Sequence, residues 1–547
     1  MRKARAVARV PKLTHFRNSM FVAAYREVKY AKRLLAPAVL GSQAPCQAHH
    51  TTAKSVRQQF KNACASPGTD HIRTRREHCT FVCLQGGLGK LLEIGGGAKS
   101  DQALQYAELD QGGSSLSSSA FCTLRCWFTS TAIVCSQCTT FSCFTRRHRI
   151  YRLRIPRNIA KSFLEALEAG EDNMQFDVLQ SYRSGGGYID IMVGPSALKD
   201  FKRLIRIHKV SAQLIDSDVE RSIGRSKRAN MRAMSRIRSR RSDGHAMSHD
   251  AYFPFNVMED NLHEIVKKAK VATLEELGKT TQGRSIWLLK LTLLLKVSAN
   301  KSLPIIWIDA GIHAREWIAP ASALYIIDRL LSWEGSRLLQ KYQFYVAPEI
   351  NPDGYVFSFT RNRYWRKNRN KTAQSDCYGV DLNRNFPFKW GFSGSSSNPC
   401  GEIFRGLSAA DQAETQSVVK KLTSIANQTK LFITLHSYGQ LILTPYGFQR
   451  GFHPANYDEL LRLTLKIIYR IWKQHGDVYS TGSAADLLYA AAGGSDDFAC
   501  GSLKIPYTYT FELPDLGTYN FLLPPAYISL VGKEMWTALA TLVDHMK

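Results

Sequence analysis

Three side chains of the sequence have the types and the spacing of a catalytic metal site. His313 and Glu316 stand in an H-x-x-E spacing directly after an apolar run, and His436 directly follows a second such run. Two imidazoles and one carboxylate supply three protein ligands and leave a fourth position for water, as a catalytic zinc site requires. The same ligand set could hold Fe(II) in an oxygenase, although no other motif of such an enzyme accompanies it.

The two apolar runs before these histidines are typical of strands buried on both faces. PIIWIDAG (304–311) and KLFITLH (430–436) are rich in β-branched residues. The segments 322–333 and 455–472 have the apolar spacing of helices that pack on such a sheet. The sequence therefore predicts an open α/β fold, in which reactive groups collect beyond the carboxyl ends of the strands.

A smaller unit precedes this domain, over about 150–220. Alternating or apolar runs predict its strands, and apolar residues at helical spacing predict two helices. The elements follow the order of a split βαβ unit, with two strands between the helices. The predicted strands are at 151–155, 174–180, 188–193 and 211–216, and the predicted helices are at 158–169 and 195–208.

The stretch 221–241 joins the two units and is strongly basic, with nine Lys or Arg residues and no acidic residue. Because like charges repel one another, we expect an open, exposed linker that a trypsin-like protease cleaves. The remaining residues, 242–547, then form one large domain.

The formal charge of +28 raises the question of a nucleic-acid partner. No zinc-finger spacing or RNA-binding signature accompanies the arginine-rich tracts, so we interpret them as solvated segments and expect no nucleic-acid partner. No run of about 18 apolar residues predicts a membrane-spanning helix, and we expect no membrane partner.

Nine of the 12 cysteines precede residue 144, in a region without sustained periodicity. We expect residues 1–145 to be a disordered extension or the product of an incorrectly predicted gene start. Cys377 and Cys400 flank a loop rich in Gly, Ser, Asn and Pro, which suits a disulfide in an oxidising compartment. Cys500 is then left as a free, buried thiol.

Several motifs make residues 242–547 similar to the pancreatic-type zinc metallocarboxypeptidases, and 150–220 resembles that family's activation peptide. The resemblance implies a mixed central sheet flanked by helices, preceded by a small ferredoxin-like α+β propeptide that covers the cleft until the linker is cut. The motifs stand in the family's order over almost the whole domain: GIHAREW (311–317), NPDGY (351–355), NRYWRKNR (362–369), GVDLNRNFPF (379–388), HSYGQ (436–440), LLYAAAGGSDDF (487–498) and YTFELPDLGTYNFLLP (509–524).

The resemblance implies the roles of the candidate ligands and of the general base. His313, Glu316 and His436 would bind one Zn²⁺, and Glu512 would take a proton from zinc-bound water, whose pKa zinc lowers towards about 7. The apolar run around Glu512 argues against an exposed strand carboxylate.

Two arginines have implied roles as well. Arg366 occupies the family position that stabilises the oxyanion, and Arg315 assists substrate binding. We expect the other arginines near Arg366, at positions 361, 363 and 369, to form a solvated face.

Further residues match those that bind the C-terminal residue of a peptide substrate. Asn383 and Arg384 match the pair that binds the free carboxylate, for which a planar guanidinium is well suited. Tyr438 and Tyr489 match tyrosines of the substrate site, and Tyr489 closes over the bound C-terminus. Asp496 matches the position at the base of the primary pocket. Family members that prefer a C-terminal Lys or Arg have Asp at this position, and members that prefer aromatic or aliphatic C-terminal residues have an apolar residue.

Asp496 and Asp497 could instead be simple turn or helix-start residues. The leading hypothesis is nevertheless a secreted, monomeric zymogen that acts on peptide or protein C-termini ending in Lys or Arg. The alternatives are an apolar C-terminal preference, a non-catalytic peptide-binding homologue, and an organelle-targeted or nucleic-acid-binding protein defined by its basic N-terminal region. The first residues carry the charge of a signal peptide without its apolar core.

One residue and one segment depart from the family pattern. Glu349 stands before NPDGY where the family has an apolar strand residue, and LTLLLK (291–296) is unusual before the first catalytic strand. Neither contains a proposed ligand, so we expect them to affect local packing only.

Overall fold

The structure is a computed structural model that describes most of the chain from His148 onward. The described ranges are 148–156, 176–182, 187–240, 248–293, 303–372 and 375–547, together with Phe163 and Leu167. Before them it describes four short strands, β1 (Cys79–Gln85), β2 (Leu88–Ile94), β3 (Cys126–Thr129) and β4 (Ala132–Cys135).

These early strands form two antiparallel pairs, β1 with β2 and β3 with β4. The first pair lies in a unit over Met1–Arg125, and a second unit comprises Cys126–Lys547. The hairpins depart from the expectation that 1–145 contains no regular elements. Two residues separate the strands of each pair, which is the commonest hairpin spacing, and the sequence analysis did not weigh it.

The segment over about 150–220 folds as predicted, around a four-stranded antiparallel sheet. Its elements are β5 (Arg149–Arg154), β6 (Phe176–Tyr182), β7 (Tyr188–Val193), α1 (Leu198–Ile207) and β8 (Ser211–Asp216). The strand order β6-β7-β5-β8 is that of a ferredoxin-like sheet. The predicted helix over 158–169 lies outside the described residues except for Phe163 and Leu167, which are buried in this core. We call this region the activation domain.

The basic segment after β8 is helical, which corrects the expectation of an open linker. α2 (Val219–Arg240) is a continuous helix. Several of its apolar residues share one face, where Ile237 is buried in the core of the larger domain and Met234 packs against it. Docking of this face offsets the repulsion between the arginines, and tertiary packing of this kind supplies most helical stability in proteins.

The larger domain is built on an eight-stranded mixed sheet. Its strands are β9 (Ala272–Lys279), β10 (Ser285–Leu291), β11 (Ile305–Ala310), β12 (Gln343–Ala347), β13 (Thr429–Ser437), β14 (Leu441–Thr444), β15 (Ser480–Ser483) and β16 (Tyr507–Leu513). They lie in the order β15-β14-β16-β13-β11-β12-β10-β9. The central strands β11, β12, β13 and β16 run parallel, and the outer pairings are mainly antiparallel.

Helices cover both faces of this sheet, which explains why β11, β13 and β16 are buried at almost every position. In β11, Ile306 and Ile308 belong to the core on one face of the sheet, whereas Ile305 and Trp307 belong to the core on the other face. The helices are α3 (Phe255–Lys268), α4 (Ile318–Leu330), α5 (Trp333–Leu339), α6 (Pro352–Thr360), α7 (Ala413–Ile425), α8 (Tyr457–His475), α9 (Ala484–Leu487), α10 (Ser495–Gly501) and α11 (Ile528–His545).

The predicted strands 304–311 and 430–436 are thus β11 and β13, and they are neighbours. Their parallel direction brings the two histidine-bearing ends to the same edge of the sheet. Residues 294–302, which include the second half of the unusual LTLLLK, lie outside the described part of the chain. Among the described residues, no helix combines the length and the apolar character needed to cross a bilayer.

Candidate active site

The candidate metal ligands come from two adjacent strands of the sheet. The chain turns at Gly311, directly after β11, with a φ of 75°, and this turn delivers His313 and Glu316. His436 lies near the carboxyl end of β13. A side chain at Gly311 would meet the Glu349 carboxylate at 2.4 Å, so both the backbone angle and the space require glycine.

The three ligand side chains converge in a buried cluster. Their ligand atoms all lie within 4.8 Å of one another. Glu316 contacts Nδ1 of His313 with one oxygen at 2.8 Å and Nδ1 of His436 with the other at 3.1 Å. The two Nδ1 atoms are 3.2 Å apart.

Asp381 fixes the tautomer of His313, and the sequence analysis did not identify this residue. The Nε2 of His313 donates to Asp381 Oδ1 at 3.1 Å, because an ionised carboxylate only accepts. Burial and the nearby Arg366 lower the pKa of His313, which favours the neutral ring, so that Nδ1 can offer its lone pair to a metal. A metal-ligating histidine is commonly oriented by a carboxylate in this way, so the donor set fits zinc. The signal was available in sequence, since Asp381 stands two residues before Asn383 in the quoted motif.

Charged partners hold these carboxylates ionised. Although burial favours the neutral form, the neighbouring histidines lower the pKa of Glu316. Burial likewise opposes ionisation of Asp381, but Arg366 and Arg384 hold its pKa well below the usual range. Arg366 donates from Nε and one terminal nitrogen to the same Asp381 oxygen, at 3.0 and 2.9 Å. The centre is thus prepared to hold a cation.

Glu512 lies beside this cluster on strand β16. It is the direct register partner of His436 across the parallel pairing of β13 and β16. Burial raises the pKa of Glu512 to about 7, a shift that His436 and Arg366 moderate. A carboxylate with a pKa near neutrality, next to a metal-bound water, has the properties of a general base.

Arg363 corrects the expectation that the arginines around Arg366 form a solvated face. Its guanidinium is buried, stacks on the ring of Trp317 at 3.6 Å and donates to the carbonyl of Arg315 at 2.7 Å. Arg369 stacks on Phe357 at 3.8 Å, while Arg361 is exposed. Aromatic neighbours that are distant in sequence bury these cations, and the local charge pattern does not reveal them.

The candidate carboxylate-binding residues are held by their own neighbourhood. The side-chain oxygen of Asn383 accepts from the backbone nitrogen of Ser495 at 2.9 Å. Arg384 donates from Nε to the carbonyl of Gly394 at 2.8 Å, and its Nη2 lies 3.5 Å from the Tyr489 hydroxyl. Tyr489 is half-buried at the cavity edge. These contacts orient the groups towards the same cavity.

Asp496 and Asp497 share the first turn of α10 but have different surroundings. Asp496 lines the cavity, is 7% exposed, and accepts from the Thr510 hydroxyl at 3.0 Å. Asp497 accepts from the backbone nitrogens of Gly447 and Phe448 at 2.7 and 2.8 Å. Burial raises the pKa of both carboxyls. Asp497 therefore holds a loop, whereas Asp496 faces open space.

One cavity unites most of the predicted residues. Its lining includes His313, Glu316, His436, Glu512, Arg366, Asn383, Arg384, Tyr489 and Asp496. Its other wall comes from the activation domain: Leu167, Val178, Leu179, Gln180 and Ile189.

Arg315 and Tyr438 lie instead where the activation domain contacts the larger domain. Arg315 is fully buried and pairs with Asp177 of the activation domain at 2.7 Å. The Tyr438 hydroxyl donates to Asp190 at 3.0 Å, and the Gln180 amide donates to the Tyr438 carbonyl. Asp177 and Asp190 were not predicted as contact residues, because their partners in the larger domain are more than a hundred residues away in the chain.

The cysteine predictions for the larger domain are confirmed. Cys377 and Cys400 form a disulfide with Cα atoms 5.1 Å apart, and Cys500 is a buried free thiol. Glu349 is also buried: Oε1 accepts from the backbone nitrogen of Asn351 at 3.0 Å, and Oε2 has no hydrogen-bond partner among the described residues. Burial raises the pKa of Glu349 well above its usual value, which favours a neutral carboxyl there.

Comparison with known proteins places this geometry in a family. Residues 258–538 match the zinc carboxypeptidase family, and residues 151–226 match the carboxypeptidase activation peptide. The chain is 40% identical over 281 residues to carboxypeptidase B of Astacus astacus, which covers 51% of this chain and 91% of that protein. It is 32% identical over 404 residues to zinc carboxypeptidase A 1 of Anopheles gambiae, covering 73% of this chain and 89% of that protein.

A solved structure supports the same assignment. Carboxypeptidase A from Helicoverpa armigera is similar with a TM-score of 0.66 and 27% identity, over 73% of this chain and 97% of that one. The similar proteins include both A and B types, so they leave the substrate preference open. The chain belongs to the zinc carboxypeptidase family and carries that family's activation peptide.

Proposed function

We propose that this zinc carboxypeptidase removes C-terminal Lys or Arg from peptides. The observation that carries the proposal is Asp496, a buried carboxylate in the wall of the catalytic cavity. Among the described residues no cationic side chain forms an ion pair with it, and its one side-chain partner is the neutral Thr510 hydroxyl. A buried charge is costly unless it is paired, so a cationic substrate side chain would complete the pocket.

We propose the following roles for the residues of the cavity. Bound zinc would polarise the scissile carbonyl and lower the pKa of a bound water. Glu512 would accept that water's proton and later pass it to the leaving amine. Arg366 would stabilise the negative charge that develops on the carbonyl oxygen, while its bonds to Asp381 keep the guanidinium in place.

The free carboxylate of the substrate would be bound on the other side of the scissile bond. Arg384 can offer paired donors to a carboxylate, and Asn383 lies next to it in the chain. Tyr489, at the cavity edge, would close over the bound C-terminus. Arg315 and Tyr438 would contact upstream residues of the substrate once the activation domain has left them.

The substitution Asp496→Asn tests the proposed specificity. Loss of one partner of a buried charge pair costs about 2–5 kcal/mol, so kcat/KM for substrates ending in Arg should fall about 30-fold or more. Substrates ending in Leu or Phe should hold steady or improve, because they do not use the charge. The measurement is kcat/KM of the activated enzyme for a matched pair of peptides ending in Arg and Leu.

Asp497→Asn is the matched control, because Asp497 bonds backbone nitrogens rather than facing the cavity. It should lower activity on both peptides by a similar factor. An equal loss on both peptides in Asp496→Asn would mean that Asp496 is structural. A native preference for the Leu peptide would support the alternative of an apolar pocket.

We also propose that the activation domain, about 150–220, keeps the uncut protein inactive. Three contacts between this domain and the larger domain support the proposal: Asp177 with Arg315, Asp190 with Tyr438, and Gln180 with the Tyr438 carbonyl. In this proposal the catalytic domain is 242–547. The activating cut falls near the end of α2, in the last residues of the segment 221–241 or directly after it. Bonds inside the docked helix are less accessible to a protease than those at its end.

Limited trypsin digestion tests this organisation. The intact chain should be inactive on small substrates, and activity should rise as a fragment beginning near residue 242 accumulates, which N-terminal sequencing identifies. Full activity of the uncut chain would contradict the proposal. A secreted location is proposed from the disulfide, and detection of the full-length chain only inside the expressing cells would count against it.

A further inference from the structure

The exposed side of α2 carries a straight row of arginines. Counting along the helix, they are separated by four, three, four and four residues, a spacing that keeps side chains on one helical face. With a rise of about 1.5 Å per residue, the row is roughly 22 Å long. All of its members are exposed: Arg221, Arg225, Arg228, Arg232 and Arg236.

The opposite face of α2 fixes the direction in which this row points. The Asn230 side chain is buried, donates to the Tyr252 carbonyl at 2.8 Å and accepts from the Tyr252 nitrogen at 2.8 Å. Ile237 is buried in the core of the larger domain. The helix is thus held at two points on one side, and the arginines face away from the protein.

The first four arginines of the row are not neutralised by any acidic side chain of the described residues. Glu220 is the last acidic residue before Asp243 in the sequence. Within the described residues, Arg221, Arg225, Arg228 and Arg232 form no ion pair, and the polar contact recorded for Arg225 is a 2.8 Å bond to the Ser222 hydroxyl. Like charges four residues apart destabilise a helix, so the row opposes the fold that carries it. An anionic partner would remove this repulsion.

We propose that α2 binds a linear sulfated polysaccharide along this row while the zymogen is intact. A line of charges fits a chain of anions better than it fits a single small anion. Guanidinium groups pair bidentately with oxyanions, which suits arginine rather than lysine at these positions. The disulfide between Cys377 and Cys400 indicates an oxidising compartment, where sulfated polysaccharides rather than nucleic acids are the abundant polyanions. The surface would retain the uncut protein on an anionic matrix.

Heparin binding by the full-length chain tests the proposal, with size-defined heparin as the probe. The variant Arg225→Gln/Arg228→Gln/Arg232→Gln should elute from immobilised heparin at lower salt and bind at least tenfold more weakly near physiological ionic strength. The slope of log K against log salt should decrease by about two to three, as expected when three ionic contacts to a polyelectrolyte are lost. Circular dichroism verifies that the variant is folded.

The control removes the same charge from an exposed helix of the activation domain, as Lys199→Gln/Lys202→Gln/Arg203→Gln in α1. This variant should lose less than twofold in affinity. Replacing the three α2 arginines by lysine should give an intermediate affinity, because charge remains but the paired geometry is lost.

Equal losses in the α1 and α2 variants would overturn the proposal, since net charge alone would then explain binding. A loss of less than twofold in the α2 variant would place heparin elsewhere on the chain and would also overturn it. Duplex DNA is the competitor that tests the class of partner. If DNA displaces heparin at equal charge concentration, the assignment to sulfated polysaccharide is wrong. None of these outcomes depends on the proposed Lys or Arg preference.

Discussion

The metal centre and the proposed specificity pocket line one cavity, but the pKa values of their buried carboxyl groups are shifted in opposite directions. In the metal centre, each carboxylate contacts a histidine or an arginine, and the pKa values of Glu316 and Asp381 are lowered. In the pocket, Asp496 and Asp497 have raised pKa values, and their side-chain and backbone donors are neutral.

The difference indicates which cations each region is built to hold. The metal centre favours the ionised form of Glu316 and Asp381, as required for a resident ion. The pocket leaves one carboxylate short of a positive partner, which suits a cation that arrives with each substrate and leaves with each product. The carboxylates with charged partners thus serve metal binding, and the carboxylate without a cationic partner serves substrate recognition.

The largest effect is expected at Glu512, which stands between the two regions. Glu512→Gln keeps the shape but removes the basic site, so kcat should fall about 10²–10⁴-fold. Zinc content, measured by metal analysis, should stay at one ion per chain. A variant that loses zinc together with activity would show that Glu512 belongs to the metal centre rather than to proton transfer.

The next effect concerns the support that Asp381 gives to His313. Asp381→Asn should weaken zinc affinity about 10–100-fold, because residues that orient a ligand histidine typically contribute this much. Competition with a chelator measures the change. The control is Asp353→Asn, since Asp353 is a buried carboxylate that pairs with Arg284 at 2.7 Å rather than with a ligand histidine. If both variants hold zinc as tightly as the parent protein, Asp381 does not tune the metal centre.

The smallest effect is a pH dependence of substrate preference. Burial raises the pKa of Asp496, so its carboxyl becomes neutral at a higher pH than an exposed aspartate. Only the ionised form attracts a guanidinium. The ratio of kcat/KM for peptides ending in Arg and in Leu should therefore fall several-fold between about pH 8 and pH 5. A ratio that is constant over this range would contradict the role of Asp496.

Much of this site was predictable because its residues follow strands. The runs 304–311 and 430–436 are apolar enough to be recognised as central strands, so the meeting of His313 and His436 followed from the parallel direction. The family motifs then supplied Glu512 and Asp496. The disulfide between Cys377 and Cys400 followed from the loop composition.

The contacts that the sequence did not reveal depend on tertiary packing. Arg363 looked like an exposed cation because its partner Trp317 lies far away in the chain. The segment 221–241 looked open because its charges are local, whereas the core that anchors Ile237 comes from the larger domain. Asp177 is similar, since nothing near it in sequence indicates a buried arginine as its partner.

Strand β16 links substrate choice to catalysis through a single rigid element. Thr510, which bonds Asp496, and Glu512 are two residues apart on this strand and line the same cavity. A backbone shift that deepened the pocket would displace the base as well. New substrate preferences in this scaffold should therefore evolve by side-chain exchange on a fixed frame. For engineering, saturation mutagenesis at position 496 is a safer route to new substrates than remodelling of the loops that flank β16.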